Sequence, residues 1–210
     1  MFENIDVDKI EKKVTKVKHG FLEMREEALR IVGRLSPGQS LRIAKEIYAS
    51  EKYQVRMVAV FVLGYISPNS KGAFDFLRSK ASLDESWQVQ EILAQAFNEY
   101  CKRIGYEKAL ATIESWLSDR NPNVRRAVTE GLRIWNQKDY LKEHPEIALK
   151  LLSNLKADES EYVRRSVGNS IKDISKKEKE LVRSELATWD RSDPKTAFTY
   201  SLASKKLVQV

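Results

Sequence analysis

The chain contains four similar segments, and this internal repetition limits the folds that it can adopt. The segments begin at residues 53, 87, 122 and 161, so that successive starts are 34, 35 and 39 residues apart. The third residue of each is a valine, namely Val55, Val89, Val124 and Val163. Apolar residues then recur with the three- and four-residue spacing of an amphipathic helix. Repeats of this length and pattern are typical of solenoids, in which stacked helix pairs share one continuous core.

The composition agrees with a helical, globular chain. Apolar residues make up 42% of the 210 residues, and only 8 Gly and 5 Pro are present, which disfavours a strand-and-turn architecture. The sequence therefore predicts an all-α fold, a right-handed superhelix of antiparallel helix pairs of the HEAT-like repeat type. We expect a single domain over residues 1–210, in which residues 1–20 form an N-terminal cap and residues 177–206 form C-terminal capping helices.

The predicted helices follow the repeat. The second helix of each pair is expected at 53–66, 87–100, 122–135 and 161–174, with partner helices at about 21–34, 37–50, 70–80, 106–117 and 145–156. Further helices are expected at 7–18, 177–188 and 194–206. Asn121 followed by Pro122 is a helix-start signal, and we expect Asp84 and Ser160 to cap the helices that follow them.

Several kinds of site are disfavoured by the composition. Cys101 is the only cysteine, and His19 and His144 are far apart in sequence, so we expect no internal disulfide, no metal and no cofactor. No apolar run is long enough to span a membrane, and residues 1–18 lack the apolar stretch of a signal peptide. We therefore expect a cytoplasmic protein that acts as a monomer.

Charged residues follow the repeat as well. The fifth residue of the four segments is Met57, Glu91, Arg126 and Arg165 in turn. The same helix faces continue with Gln95, Asn98, Glu130, Arg133, Asn169 and Lys172. Together with the net charge of +7, this favours a basic groove that binds a phosphate backbone. The arginines at the fourth position have another interpretation, since they could tie neighbouring repeats together; these are Arg56, Arg125 and Arg164.

Three sequence segments resemble those of a known family. ESWQVQEILAQAF (85–97), RNPNVRRAVTEGLR (120–133) and SEYVRRSVGNSIKDISK (160–176) resemble the HEAT-like repeat DNA alkylation repair proteins of the AlkC/AlkD group. The resemblance covers roughly residues 20–205. It implies that duplex DNA binds in a concave cleft and that active members hydrolyse the N-glycosidic bond of cationic 3- or 7-alkylated purines without a metal.

The resemblance also implies roles for individual residues. Glu91 would stabilise the developing oxocarbenium ion, Trp87 would contact the deoxyribose, and Arg126 would hold a phosphate. The remaining DNA contacts are expected from Gln95, Arg133, Arg165, Asn169 and Lys172. Two alternatives stay open at this point, because Glu91 could instead form a salt bridge with Arg126, and Trp87 could be a packing residue.

The chain departs from AlkD-type members in two respects. Asn169 stands where they carry a second cleft tryptophan, and residues 1–19 leave room for one helix before the first repeat, where they have more. A non-catalytic member that binds duplex DNA is therefore an alternative to an alkylpurine DNA glycosylase. A protein–protein scaffold is a further alternative, although it would predict apolar or acidic residues in the groove, where this chain carries Arg and Lys.

Overall fold

The computed structural model describes residues 5–207, and every regular element within that range is a helix. Thirteen α-helices lie in the described range: α1 Val7–Val14, α2 Leu22–Arg34, α3 Pro37–Tyr48, α4 Tyr53–Ile66, α5 Lys71–Ser79, α6 Trp87–Ile104, α7 Leu110–Leu117, α8 Pro122–Gly131, α9 Asp139–Glu143, α10 Pro145–Ser153, α11 Glu161–Ile174, α12 Lys179–Ala187 and α13 Pro194–Ala203. The predicted all-α fold of helix pairs is confirmed. None of these helices has the length and apolar character needed to cross a lipid bilayer.

The chain divides into two compact units, Met1–Arg103 and Ile104–Val210. In the first unit α4 lies at the centre, with α2 and α3 packed against it. Ten of its fourteen residues are buried, and Arg56 is the only charged residue of the helix. A helix that is apolar on almost every side needs neighbours all round, and α2, α3 and α5 supply them. The prediction of one domain over residues 1–210 stays a prediction.

In the second unit α11 packs against both α8 and α13. Local sequence explains where two of these helices begin. The Asn121 side chain accepts a hydrogen bond from the backbone of Asn123, and Pro122 opens α8. Asp193 does the same for α13 before Pro194, and accepts from two backbone N–H groups. A capping side chain followed by proline satisfies donors that an α-helix leaves unpaired at its start.

Two glycines allow helices of the repeat to approach closely. A Cβ atom on Gly64 of α4 would lie 2.7 Å from Cβ and 2.8 Å from Cα of Ala96 on α6. A Cβ atom on Gly168 of α11 would lie 2.6 Å from Cβ of Leu202 on α13 and 3.0 Å from the carbonyl oxygen of Thr199. The α4–α6 and α11–α13 contacts are therefore backbone-to-backbone approaches that only glycine permits.

The helix predicted over 122–135 is wrong in its last four residues. Helix α8 ends at Gly131, and Ile134 adopts a left-handed conformation with φ 61°. This reversal turns Trp135 into the core, where it is fully buried at the start of a short 3-10 helix, Trp135–Gln137. Such a conformation is costly for a β-branched residue, so burial of the indole has to compensate for it. The chain then forms α9, which the sequence did not predict.

Other predictions differ by smaller amounts. The helix expected at 106–117 begins only at Leu110, after Gly105 adopts φ 90°. Asp84 lies three residues before α6, and its carboxylate accepts hydrogen bonds from the Ser86 backbone, Arg56 and Tyr48. Ser160 directly precedes α11, but its side chain makes no capping bond. Cys101 and the tryptophans outside α6 are buried; these tryptophans are Trp116, Trp135 and Trp189.

Candidate functional site

The first unit contains a cleft of about 460 Å³ that brings three predicted site residues together. Trp87, Glu91 and Gln95 line it, and all three project from one face of α6. The four-residue spacing of these positions places them on successive turns. Trp87 is the first residue of α6 and exposes 68% of its surface. An indole this exposed is not a core packing residue, so the cleft has an aromatic wall beside a carboxylate.

The other walls of the cleft come from residues that the sequence did not predict to lie there. The segment between α1 and α2 contributes Lys18, His19, Gly20 and Phe21, and α4 contributes Tyr53 and Met57. Gly20 adopts φ 86°, which favours glycine and lets this segment turn into α2. A signal for Met57 was present in the sequence, because it shares the fifth position of the repeat with Glu91. No comparable periodicity marks the segment before α2.

A smaller cavity of about 210 Å³ lies further along α6. Gln95 and Asn98 line it together with Arg25, Tyr65 and Glu99. The Arg25 Nε atom donates to the Tyr65 hydroxyl at 3.2 Å. Gln95 is the one predicted site residue that lines both cavities.

The arginines at the fourth position of the repeat have structural roles in both units. Arg56 Nε and NH2 donate to the two carboxylate oxygens of Asp84 at 2.7 and 3.0 Å, and its NH1 donates to the carbonyl of Ser50 at 3.0 Å. Arg125 repeats this arrangement with Asp158. Each arginine thus joins the loop before its own helix to the loop of the following repeat, as the alternative interpretation proposed.

The fourth-position residues of the other two repeats, Gln90 and Arg164, bind backbone carbonyls. In α6 the position is Gln90, whose side-chain amide donates to the carbonyls of Ala81, Ser82 and Asp84. In α11, Arg164 NH1 donates to the carbonyl of Asp158 at 2.5 Å. All four side chains therefore bind the loop that precedes their own helix.

The predicted DNA-binding residues of the second unit lie on α8 and α11 or directly after α8. Arg165 donates to Glu161 at 2.6 Å, and both side chains are more than half exposed. Lys172 donates to Asn169 at 2.9 Å. Arg133 donates through Nε to Asp173 at 3.2 Å and lies 3.6 Å from Glu130. The positive charges predicted from sequence are present, but carboxylates accompany several of them.

Asp173 is the most buried acid of this group. Burial alone would raise the pKa of its carboxyl, but hydrogen bonds from Lys176 and Arg133 outweigh that effect and lower the pKa below its ordinary value. The Lys176 Nζ atom lies 2.6 Å from Asp173. Arg133 therefore lies in an ion-pair cluster, and it keeps 43% of its side chain exposed.

Within residues 5–207, no group of three or more His, Cys, Asp or Glu side chains is arranged to hold a metal ion. The chemistry that the described residues offer is therefore that of a carboxylate, aromatic rings and guanidinium groups.

Comparison with known proteins places these features in a family. The sequence model of the DNA alkylation repair enzyme family matches residues 20–207. The crystal structure of AlkD2 from Streptococcus mutans is 46% identical, with a TM-score of 0.93 over 95% of this chain and 96% of that one. The structure of smu.31 from Streptococcus mutans UA159 is 44% identical, with a TM-score of 0.90 and the same coverage.

Two more distant relatives are longer proteins. YhaZ of Bacillus subtilis (strain 168) is 36% identical over 138 residues, which are 61% of this chain and 39% of YhaZ. The Pseudomonas fluorescens alkylpurine DNA glycosylase AlkC, solved bound to DNA containing an abasic site analog, is 23% identical with a TM-score of 0.53. That match covers 97% of this chain and 63% of AlkC, and it shows a shared fold. By sequence and by structure, this chain belongs to the DNA alkylation repair enzyme family.

Proposed function

We propose that the chain binds duplex DNA through the second unit in the course of DNA alkylation repair. The observation that carries this proposal is the pair Arg126 and Arg165, which occupy the same position on the neighbouring helices α8 and α11. Guanidinium groups bind phosphate oxygens through two hydrogen bonds at once. The DNA-bound structure of AlkC, which has the same fold, supports the proposal.

The ion pair between Arg165 and Glu161 affects the affinity for DNA. Arg165 and Glu161 are 55% and 57% exposed, and an exposed pair of this kind contributes about 1 kcal/mol or less. A phosphate can therefore replace Glu161 as the partner of Arg165 at little cost. Glu161 remains close by as a negative charge and weakens binding. We expect the affinity to fall steeply with salt, because several cations would release counterions from the phosphates that they contact.

A titration tests the proposal. Fluorescence anisotropy of a labelled duplex of about 16 base pairs, measured over a series of salt concentrations, gives the slope of log K against log salt. Replacing both Arg126 and Arg165 with alanine should weaken binding to every sequence and reduce the slope by about one for each phosphate that is no longer bound. Arg183→Ala on α12 is the control for the loss of a positive charge elsewhere in the same unit, since its ion pair with Glu180 is exposed; it should change the affinity and the slope much less than the double variant does. Unchanged binding in a folded double variant would favour the protein scaffold instead.

A second candidate function is hydrolysis of the N-glycosidic bond of a cationic alkylpurine at the cleft of the first unit. The observation that favours it is the joint lining of this cleft by Glu91 and the exposed Trp87. A cationic base leaves without protonation, while positive charge develops on the sugar. A fixed carboxylate lowers the energy of that transition state, and an aromatic face attracts the same charge.

An excision assay tests this second candidate. Duplex DNA that contains 7-methylguanine or 3-methyladenine is incubated with the protein, and the free base is measured against spontaneous loss. Release above the spontaneous rate supports hydrolysis. Binding of the duplex without release at long incubation would reject hydrolysis and leave a non-catalytic member that binds duplex DNA.

A further inference from the structure

Helix α13 continues the series of second helices in the second unit. It packs against α11, as α8 does. Its fifth residue is Phe198, counted from Pro194, and Arg126 and Arg165 are the fifth residues of α8 and α11. The sequence predicted only a capping helix here, because α13 lacks the arginine pair that marks α8 and α11.

Arginines and aromatic rings alternate across these three helices. The Arg126 guanidinium lies over the Tyr162 ring, with its carbon 5.6 Å from the ring centroid. The Arg165 guanidinium lies over the Phe198 ring at 5.4 Å. We call Arg126, Tyr162, Arg165 and Phe198 the arginine–aromatic ladder. Cation–π contacts of this kind hold the planar groups in order before any ligand arrives.

Tyr162 is the most exposed member of the ladder. It exposes 69% of its surface, and it is the one exposed aromatic side chain among the described residues of the second unit. The corresponding residues of the other second helices are Gln54, Gln88 and Asn123, none of which is aromatic. An exposed ring beside guanidinium groups can stack on a nucleobase, and every base offers a face for this.

A paired duplex does not offer such faces, because its bases are already stacked on one another. We propose that the arginine–aromatic ladder is a stacking site for an unpaired nucleobase, with Tyr162 as the stacking ring and Arg126 and Arg165 at the flanking phosphates. This rests on the proposed DNA binding and adds a preference, namely for DNA with an unpaired nucleotide over a fully paired duplex.

The acid that opposes this binding is Glu161. Its carboxylate lies 2.6 Å from Arg165 and is 57% exposed, so it competes directly with a phosphate. The neighbouring Glu159 is paired with Lys195 at 2.6 Å. Replacing Glu161 with glutamine removes the competing charge and leaves the ladder in place. It should tighten binding of all DNA severalfold, in the direction opposite to the loss of Tyr162.

The test compares three labelled DNA molecules of about 16 nucleotides per strand, each with the full chain. They are a paired duplex, the same duplex with one extra unpaired base, and the single strand. The wild-type chain should bind the two with unpaired bases more tightly than the paired duplex. Tyr162→Ala should weaken binding of those two by about 5- to 100-fold, as the loss of one base–aromatic stack does. Its effect on the paired duplex should be under twofold.

Two variants and one spectroscopic signal serve as controls. Tyr162→Phe keeps the ring and should bind like the wild type. Tyr140→Ala on α9 removes a tyrosine from the same unit and should change no affinity. With 2-aminopurine as the unpaired base, stacking should quench its fluorescence in the wild type and in Tyr162→Phe, and not in Tyr162→Ala.

The outcomes separate the stacking site from DNA binding as such. An equal decrease in affinity for all three DNA molecules in Tyr162→Ala, or no preference of the wild type for unpaired bases, would overturn the stacking site and leave DNA binding standing. If the wild-type chain binds none of the three DNA molecules, both the stacking site and the proposed DNA binding are wrong. Binding of polyglutamate that depends on Tyr162, in the absence of DNA binding, would point to an acidic protein partner instead and would also overturn it.

Discussion

Arg125 holds both carboxylate oxygens of Asp158, with Nε–Oδ2 and NH2–Oδ1 distances of 2.6 and 2.7 Å. Its NH1 atom donates to the carbonyl of Asp119 at 2.7 Å, and only 13% of its side chain is exposed. The guanidinium carbon of the next residue, Arg126, lies 5.6 Å from the centroid of the Tyr162 ring. Two adjacent arginines therefore make different contacts, since Arg125 joins successive repeats through carboxylate and carbonyl oxygens and Arg126 stacks on an aromatic ring.

This difference predicts unequal effects on stability. Arg125→Ala leaves the buried Asp158 carboxylate without its charged partner and should lower the free energy of unfolding by about 3 kcal/mol. Arg126→Ala removes a side chain that stacks on the exposed Tyr162 ring and should lower the free energy of unfolding by less than Arg125→Ala does. Urea denaturation followed by circular dichroism measures both. Equal decreases in the two variants would show that Arg126 is also a structural residue.

In the first unit Arg56 and Asp84 form the same kind of ion pair, which predicts that stability depends on pH. Burial would raise the pKa of Asp84, but hydrogen bonds from Arg56, the Ser86 backbone and Tyr48 outweigh it and hold the pKa below its usual 3.8. Because the folded pKa is lowered, the stabilisation is complete above about pH 5 and is lost as the pH falls through the unfolded and then the folded value. We expect the melting temperature to fall over this acidic range.

The control for this dependence is Asp84→Asn. It removes the titrating group, so its stability should be lower at neutral pH and should change less between about pH 5 and pH 3. Asp173, whose pKa is also lowered, supplies a similar dependence in the second unit and stays intact in this variant. An Asp84→Asn variant that loses stability with acid as steeply as the wild type would contradict the assignment to Asp84.

The close helix contacts predict that two glycines resist substitution. Gly64→Ala would place a methyl group 2.8 Å from Cα of Ala96, and Gly168→Ala would place one 2.6 Å from Cβ of Leu202. Neither helix can relieve this by moving a side chain alone, so each substitution should destabilise the fold by about 1–3 kcal/mol. Gly33→Ala in α2 is the matched control, since nothing lies within 4 Å of the added methyl, and it should stabilise by about 0.5–1 kcal/mol. Thermal melting of the three variants measures these changes.

The repeat register allowed most of the fold to be predicted from sequence. It predicted α4 and α11 at their observed bounds, because a periodic apolar pattern over fourteen residues determines one helix face. It failed at Ile134, where burial of Trp135 outweighs the local preference against a left-handed conformation. That competition depends on tertiary packing, which periodicity does not contain.

The candidate site could be predicted only in part for a related reason. Trp87, Glu91 and Gln95 line one cleft, because they lie on one helix and their spacing places them on one face of it. His19 and Phe21 reach the same cleft from a non-repetitive segment. Tyr162 was not predicted as a site residue, because neither its exposure nor its position beside the Arg126 guanidinium can be read from the register.

The last prediction concerns Glu91. If the cleft hydrolyses the N-glycosidic bond, Glu91→Gln should abolish release of a cationic base, because the amide keeps the shape of the side chain but removes the charge that stabilises the oxocarbenium ion. Affinity for undamaged duplex should stay equal or increase slightly, since a negative charge has been removed. Glu99→Gln on the same helix removes an equal charge from a group paired with Arg103 and should leave release unchanged.

Base release that survives in Glu91→Gln would exclude this carboxylate as the group that stabilises the transition state. If Glu91 is instead mainly a salt-bridge partner, Glu91→Gln should lower the free energy of unfolding by about 1 kcal/mol.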